Sequence, residues 1–288
     1  MTQKLSAIAL VATLSLLAIN VTAQVSITSG GGLTYSQNFD ALTRNTTAEN
    51  WTDNTATTSV NDSPQVIGLV GWYVGNFGTT TVTPTIRGGT GSSSTGSFYS
   101  FGSTAAPDRA LGTLPSDGTA SASMRLGSRF VNNTGGTITG FSFTYDGEEW
   151  RNPGNSATIV NNQYVVSYAV FGAGAGSLNS GLYSATIPSA TFDTPWDGTG
   201  TATSAALDGN AAANRIAGLG ATFTELSIAN GDEIWLRWWD SNSSLLDAGI
   251  AIDNFSITFE AAAIPEPSLA ALIGLGFLFL VRRARGRS

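Results

Sequence analysis

Between positions 121 and 259, large apolar side chains fall at every second residue in runs bounded by Gly, Asn, Asp and Ser. That period sends successive side chains to opposite faces of extended backbone, which restricts the chain to packed β-sheets. Met124, Leu126 and Phe130 alternate with Arg125 and Arg129. Past the turn signal Asn132-Asn133-Thr134-Gly135-Gly136, Phe141, Phe143 and Tyr145 alternate with Ser142, Thr144 and Asp146, so the two runs read as hairpin partners. Residues 163–171 are apolar on both faces, which suits a central strand covered on both sides. Segments 221–228, 233–239 and 249–259, separated by Asn230-Gly231 and by residues 240–247, read as a closing meander. Residues 33–40 and 79–86 also have strand chemistry, 45–62 is a polar loop, and 172–214 is a long small-residue stretch with short strands expected near Tyr183 and Phe192. The expected fold is all-β, one antiparallel β-sandwich of jelly-roll type spanning residues 24–263.

Both ends carry a different chemistry. Lys4, an apolar run over 5–19 and the small-residue site Val21-Thr22-Ala23 read as a signal peptide over 1–23, cleaved between Ala23 and Gln24. At the other end, in segment 264–288, Pro265-Glu266-Pro267 precedes an apolar run from 269 to 281 and then Arg282, Arg283, Arg285 and Arg287. Such a run is short for a bilayer span of about 20 residues. The prolines block helix continuation upstream, while the arginines anchor the downstream end on a cytoplasmic face. Pro-Glu-Pro, a single hydrophobic helix and arginines together resemble the PEP-CTERM sorting signal. The resemblance implies an exported protein of a Gram-negative-type bacterium, cut by signal peptidase at the front. At the back, a transient inner-membrane anchor through 268–281 would be cut near the Pro-Glu-Pro by a membrane-embedded exosortase. The destination would be the cell surface or extracellular matrix. A permanent C-terminal anchor is the alternative.

Composition then narrows the partners. Without Lys4 and the four tail arginines, 8 basic residues face 20 acidic ones, a net charge of −12 with no lysine. That balance argues against nucleic acid and anionic membrane as partners, because neither tolerates so few phosphate-neutralising side chains. The absence of Cys and His removes disulfides, Ser-His-Asp and Cys-His nucleophiles and the usual zinc sites. The Gly/Ser/Thr stretch 88–96 opens no helix and is followed by no lysine, so it is not a phosphate loop. Any enzyme here works with carboxylates.

Three constellations remain. Asp146, Glu148 and Glu149 beside Trp150 and Arg151 are the equipment of glycoside hydrolysis if paired, or solvated charges if the chain turns at Asp146-Gly147. In residues 233–240, Glu233, Trp235, Arg237 and Trp239 share the face opposite Ile234, Leu236 and Trp238. That mixed face is either a sugar surface of Trp235, Arg237 and Trp239 or a packing patch. Alternation places Asp253 with Ala251, Phe255, Ile257 and Phe259 on the core face, where a carboxylate needs calcium, an arginine or backbone amides unless the strand end is solvated. Asn38-Phe39-Asp40 and 251–257 are similar to the first and last strands of carbohydrate-binding-module-like jelly rolls, in which these strands are neighbours. This implies that Asp40 lies near Asp253, two carboxylates of a structural Ca2+ site. The chain is thus read as a non-enzymatic surface or matrix protein that binds or is embedded in exopolysaccharide, with a secreted carboxylate-dependent glycan-active enzyme as the alternative.

Overall fold

The computed structural model describes residues 24–30, 32–47, 49–50, 52–53, 65–66, 68–77, 85–115, 123–154, 162–196, 203–242 and 247–262. The signal peptide through Ala23 and the sorting segment, with Pro265, Glu266, Pro267, Arg282, Arg283, Arg285 and Arg287, lie outside the described residues. Among the described residues no helix is long and apolar enough to cross a membrane.

The protein is all-β and sandwich-like, built from two sheets. The strands in chain order are β1 (Val25–Ile27), β2 (Thr34–Gln37), β3 (Glu49–Asn50), β4 (Thr52–Asp53), β5 (Gln65–Val66), β6 (Trp72–Phe77), β7 (Thr85–Gly89), β8 (Ser97–Phe101) and β9 (Ala110–Leu114), followed by β10 (Ser123–Asn132), β11 (Ile138–Asn152), β12 (Gln163–Phe171), β13 (Phe192–Asp193), β14 (Ala205–Ala206), β15 (Arg215–Phe223), β16 (Glu233–Ser241) and β17 (Gly249–Ala261). Sheet I runs β13-β12-β16-β10-β6-β5-β4, with β1 on β10. Sheet II runs β14-β11-β17-β9-β8-β7-β3, with β15 on β11 and β2 on β17. Pairing is antiparallel except for β1 with β10 and β7 with β8, which are parallel.

The core between the sheets is aromatic. Trp72, Phe130 and Trp238 from sheet I meet Phe143 and Phe255 from sheet II, with Trp72 and Trp238 stacked at 5.7 Å and Phe255 edge-on to Trp72 at 5.2 Å. Phe39 completes the cluster, edge-on to Trp72 at 4.8 Å. Its backbone is left-handed (φ 58°), held by the Phe39 N–H donating to Gln37 Oε1 at 2.9 Å. Gly71 (φ 79°) turns the chain where β1 and β6 share one edge of β10, and a Cβ there would strike Val25 and the Arg129 carbonyl.

Three expected adjacencies differ. β10 and β11 are not hairpin partners: β10 pairs with β6 and β16, β11 with β15 and β17, and the intervening loop crosses from one sheet to the other. Five residues reach about 16 Å, enough for the roughly 10 Å between sheets, and Asn132 Nδ2 fixes the crossing by donating to the Gly136 and Ile228 carbonyls. The closing segments do not form a meander, since β16 lies in sheet I while β15 and β17 flank β11 in sheet II. Residues around Tyr183 form no strand, and β12 is covered on both faces but sits next to the sheet edge. The neighbourhood of β2 and β17 is present, with Gln37 opposite Phe255 and Thr34 opposite Thr258.

Candidate functional site

Strand β16 divides its side chains as its period requires: Ile234, Leu236 and Trp238 enter the core, while Glu233, Trp235, Arg237 and Trp239 face outward. The outward face is roofed by the chain after β12. Leu178 and Tyr183 join Tyr73, Ala169, Phe171 and Trp235 in a second apolar cluster. Gly176 passes so close to Trp235 that no side chain fits there. Trp235 is 0% exposed, with its ring 4.9 Å from Tyr73 and its Nε1 donating to Glu233 Oε2 at 2.8 Å. It is therefore a packing residue here, and the expected stacking surface is closed at this position.

Under the same roof lies a buried ion pair. Arg129 Nε and Nη2 donate to Glu233 Oε2 and Oε1 at 2.9 and 2.6 Å, and the Gly174 N–H in the roof donates to Oε1 at 2.5 Å. Burial by itself raises the Glu233 carboxyl, but hydrogen bonds from Arg129 and Trp235 and the Arg129 charge outweigh it and hold the group below its ordinary value. Arg237 and the half-buried Arg125 both donate from Nη1 to the Leu178 carbonyl, each at 3.1 Å. The Arg237 guanidinium lies 3.7 Å from the Tyr183 ring centre and 5.7 Å from that of Trp239, which Arg125 covers at 4.7 Å. Burial, then the neighbouring Arg237 charge, lowers the Arg125 pKa to about 10. Trp239 and Arg237 thus serve a cation–aromatic ladder that clamps the roof.

Carboxylates converge on the outer side of sheet II. Asp253 is not on the core face. A bulge in β17, where Asn254 takes a left-handed φ of 49°, shifts the alternation by one. Ile250, Ile252, Phe255 and Ile257 line the main core, while Ala251 belongs to a separate cluster with Tyr99, Phe101 and Trp150, and Asp253 shares its side. The expected turn at Asp146-Gly147 is absent too. β11 continues through it, and Glu148 and Glu149 are buried. Glu148 sits opposite Ala251 and so diagonal to Asp253. Burial raises Glu148 to about 7 and Asp253 to about 8, each reinforced by nearby carboxylates. Glu148 Oε1 and Asp253 Oδ1 find no hydrogen-bond partner among the described residues.

Asp40 lies within electrostatic reach of Asp253, but its oxygens are engaged: Oδ1 by the Arg109 N–H at 3.2 Å and Oδ2 by Asn38 Nδ2 at 2.6 Å. Among the described residues no three acidic side chains are arranged to hold a metal ion.

One buried group was missed from the sequence. Asp240 Oδ2 accepts from Thr113 Oγ1 at 2.6 Å, Thr113 and Tyr164 hydroxyls lie 2.7 Å apart, and Tyr164 donates to the Ile250 carbonyl, tying sheet I to sheet II. Burial pushes the Asp240 carboxyl well above its ordinary value. The signal was present, since Asp240 continues the phase of Ile234, Leu236 and Trp238. In comparisons with family models and with curated proteins, the chain matches none.

Proposed function

We propose that this is an exported, non-enzymatic β-sandwich protein of the bacterial cell surface or extracellular matrix, delivered by a PEP-CTERM route and in contact with exopolysaccharide. One observation carries the reading: the order Pro265-Glu266-Pro267, apolar run, then Arg282, Arg283, Arg285 and Arg287 at the C-terminus of a chain that opens with a signal-peptide pattern. Signal peptidase and an exosortase are the processing partners, and the inner membrane holds residues 268–281 only in transit. The finer fold assignment, a jelly roll, is supported by the adjacency of β2 and β17. Intact-mass measurement of protein from the native host tests the sorting step. The expected mass begins at Gln24 and lacks the four tail arginines, and mature protein that retains them would overturn it.

A second reading, a secreted glycan-active enzyme, draws on the diagonal pair Glu148 and Asp253, which retain protons near neutrality as an acid catalyst requires. Turnover of a polysaccharide panel, lost in Glu148→Gln, would favour it. Retardation in polysaccharide gels without turnover favours the binding protein.

A further inference from the structure

On its β2 and β9 side, β17 changes neighbour: it pairs with β9 at 250–252 and with β2 at 255–258. At the change lies an open cleft of about 400 Å³ lined by Ser36, Gln37, Asn38, Asn254, Phe255 and Ser256. Five of these six are uncharged polar residues, and their side chains are held in place. Ser36 Oγ donates to Ser256 Oγ at 3.2 Å and Gln37 Nε2 to the Tyr35 hydroxyl at 3.4 Å. Asn38 Nδ2 donates to Asp40 Oδ2 at 2.6 Å and Asn254 Nδ2 to Asp146 Oδ2 at 3.1 Å. Each amide has two N–H donors and two acceptor lone pairs, so capacity remains on Asn254, which makes the one bond, and on Gln37 and Asn38, whose Oε1 and Oδ1 also accept from the Phe39 and Asp40 N–H, respectively. Two left-handed residues mark this region, Asn254 in the cleft lining and Phe39 next to Asn38. The hydroxyl surface continues beyond the cleft, with Thr34 and Thr258 in contact at 3.0 Å and Thr144 and Ser142 opposite Ser256 and Thr258 on β11.

We propose that this cleft binds an uncharged, hydroxyl-rich ligand, a segment of a neutral glycan chain laid across the Ser/Thr face. The proposal rests on the exopolysaccharide reading and moves the contact from β16 to the β2/β17 junction. Charge selects the ligand class. Among the described residues no arginine lines the cleft, and the carboxylates behind its amides, Asp40 and Asp146, repel anionic sugars while their own oxygens are engaged by Asn38, Asn254, the Arg109 and Gly218 amides and Arg215. A sugar hydroxyl both donates and accepts, which matches fixed amides and hydroxyls.

The test is affinity electrophoresis of the full chain through gels containing dextran, hydroxyethylcellulose or alginate. The wild type is expected to be retarded by at least one neutral polymer and not by alginate. A variant carrying Ser36→Ala, Ser256→Ala and Asn254→Gly removes the polar contacts while glycine keeps the left-handed backbone. Losing two or three hydrogen bonds of about 1 kcal/mol each should weaken retention about tenfold or more, with the melting midpoint nearly unchanged. Neutral-glycan retention that the variant leaves intact overturns the cleft but not the exopolysaccharide reading. Retention by alginate alone overturns the neutral ligand. Free passage through all three gels overturns both.

Discussion

Glu233→Gln is expected to destabilise the protein by about 3–5 kcal/mol, because it strands the Arg129 charge, buried at 4% exposure, beneath the roof over sheet I. Besides Glu233, the Arg129 side chain meets the neutral Tyr73 hydroxyl, while Trp235 Nε1 and the Gly174 N–H are donors that converge on the same carboxylate. Arg129 and both of these donors lose an acceptor of full charge at once. Urea unfolding of wild type, Glu233→Gln, Arg129→Met and the double variant Arg129→Met/Glu233→Leu checks this. The double variant should be markedly more stable than Glu233→Gln, since removing both charges leaves no uncompensated ion. Because Gly174 belongs to the roof, the single variant should also open the 172–187 segment to protease before global unfolding. A loss under about 1 kcal/mol, the value of a surface pair, would show that water reaches Arg129 and that the roof does not seal the face.

The melting midpoint is expected to fall as pH rises from about 5 to 8.5, against the usual acid sensitivity of acidic proteins. Glu148 moves from 4.5 to about 7 and Asp253 from 3.8 to about 8 on folding, so the folded state holds protons that the unfolded state releases. Their contribution is fully present below the unfolded values near 4 and is lost as pH rises through 7 to 8, on the order of 1.4 kcal/mol for each tenfold difference in proton affinity between the folded and unfolded states. The two groups lie diagonally on adjacent strands, and after burial the Glu148 charge is among the causes that raise Asp253. Glu148→Gln and Asp253→Asn keep shape and remove the titration, so each should flatten the curve and raise the midpoint above pH 8. Some slope remains, because Glu149 is also raised to about 7 by burial. A midpoint that climbs between pH 5 and 8, or isosteric variants that parallel the wild type, would mean that these carboxylates are ionised and compensated in the folded protein.

Much of the fold was legible where one local rule governed it. In β10, β11 and β16 the period of two assigns Met124, Leu126, Phe130, Phe141, Phe143, Ile234, Leu236 and Trp238 to the core, and all are buried there. The same rule misplaced Asp253, because a single left-handed residue, Asn254, inverts the phase of everything before it. Nothing in Asp253-Asn254-Phe255 announces a bulge except that asparagine tolerates positive φ, which it does in many loops as well. Asp146-Gly147 is a turn signal that would place Glu148 and Glu149 in solvent, but β11 overrides it by pairing on both edges with β15 and β17. The burial of Trp235 escapes the local rule for another reason: it depends on a roof supplied by residues 172–187, whose glycine-rich sequence carries no periodicity to reveal what it covers.

By itself, then, the sequence determined the all-β class and the core side of β10, β11 and β16, because each depends on residues close together in the chain. The tertiary structure alone decided which strands pair, since β10 and β11 have equally apolar faces whether they join or cross between sheets. It alone decided that Trp235 is roofed while Ser36, Asn38 and Asn254 meet solvent at a junction between strands over 200 positions apart. Burial, pairing and a carboxylate's proton affinity are set by neighbours distant in the chain, and a local period holds no record of them.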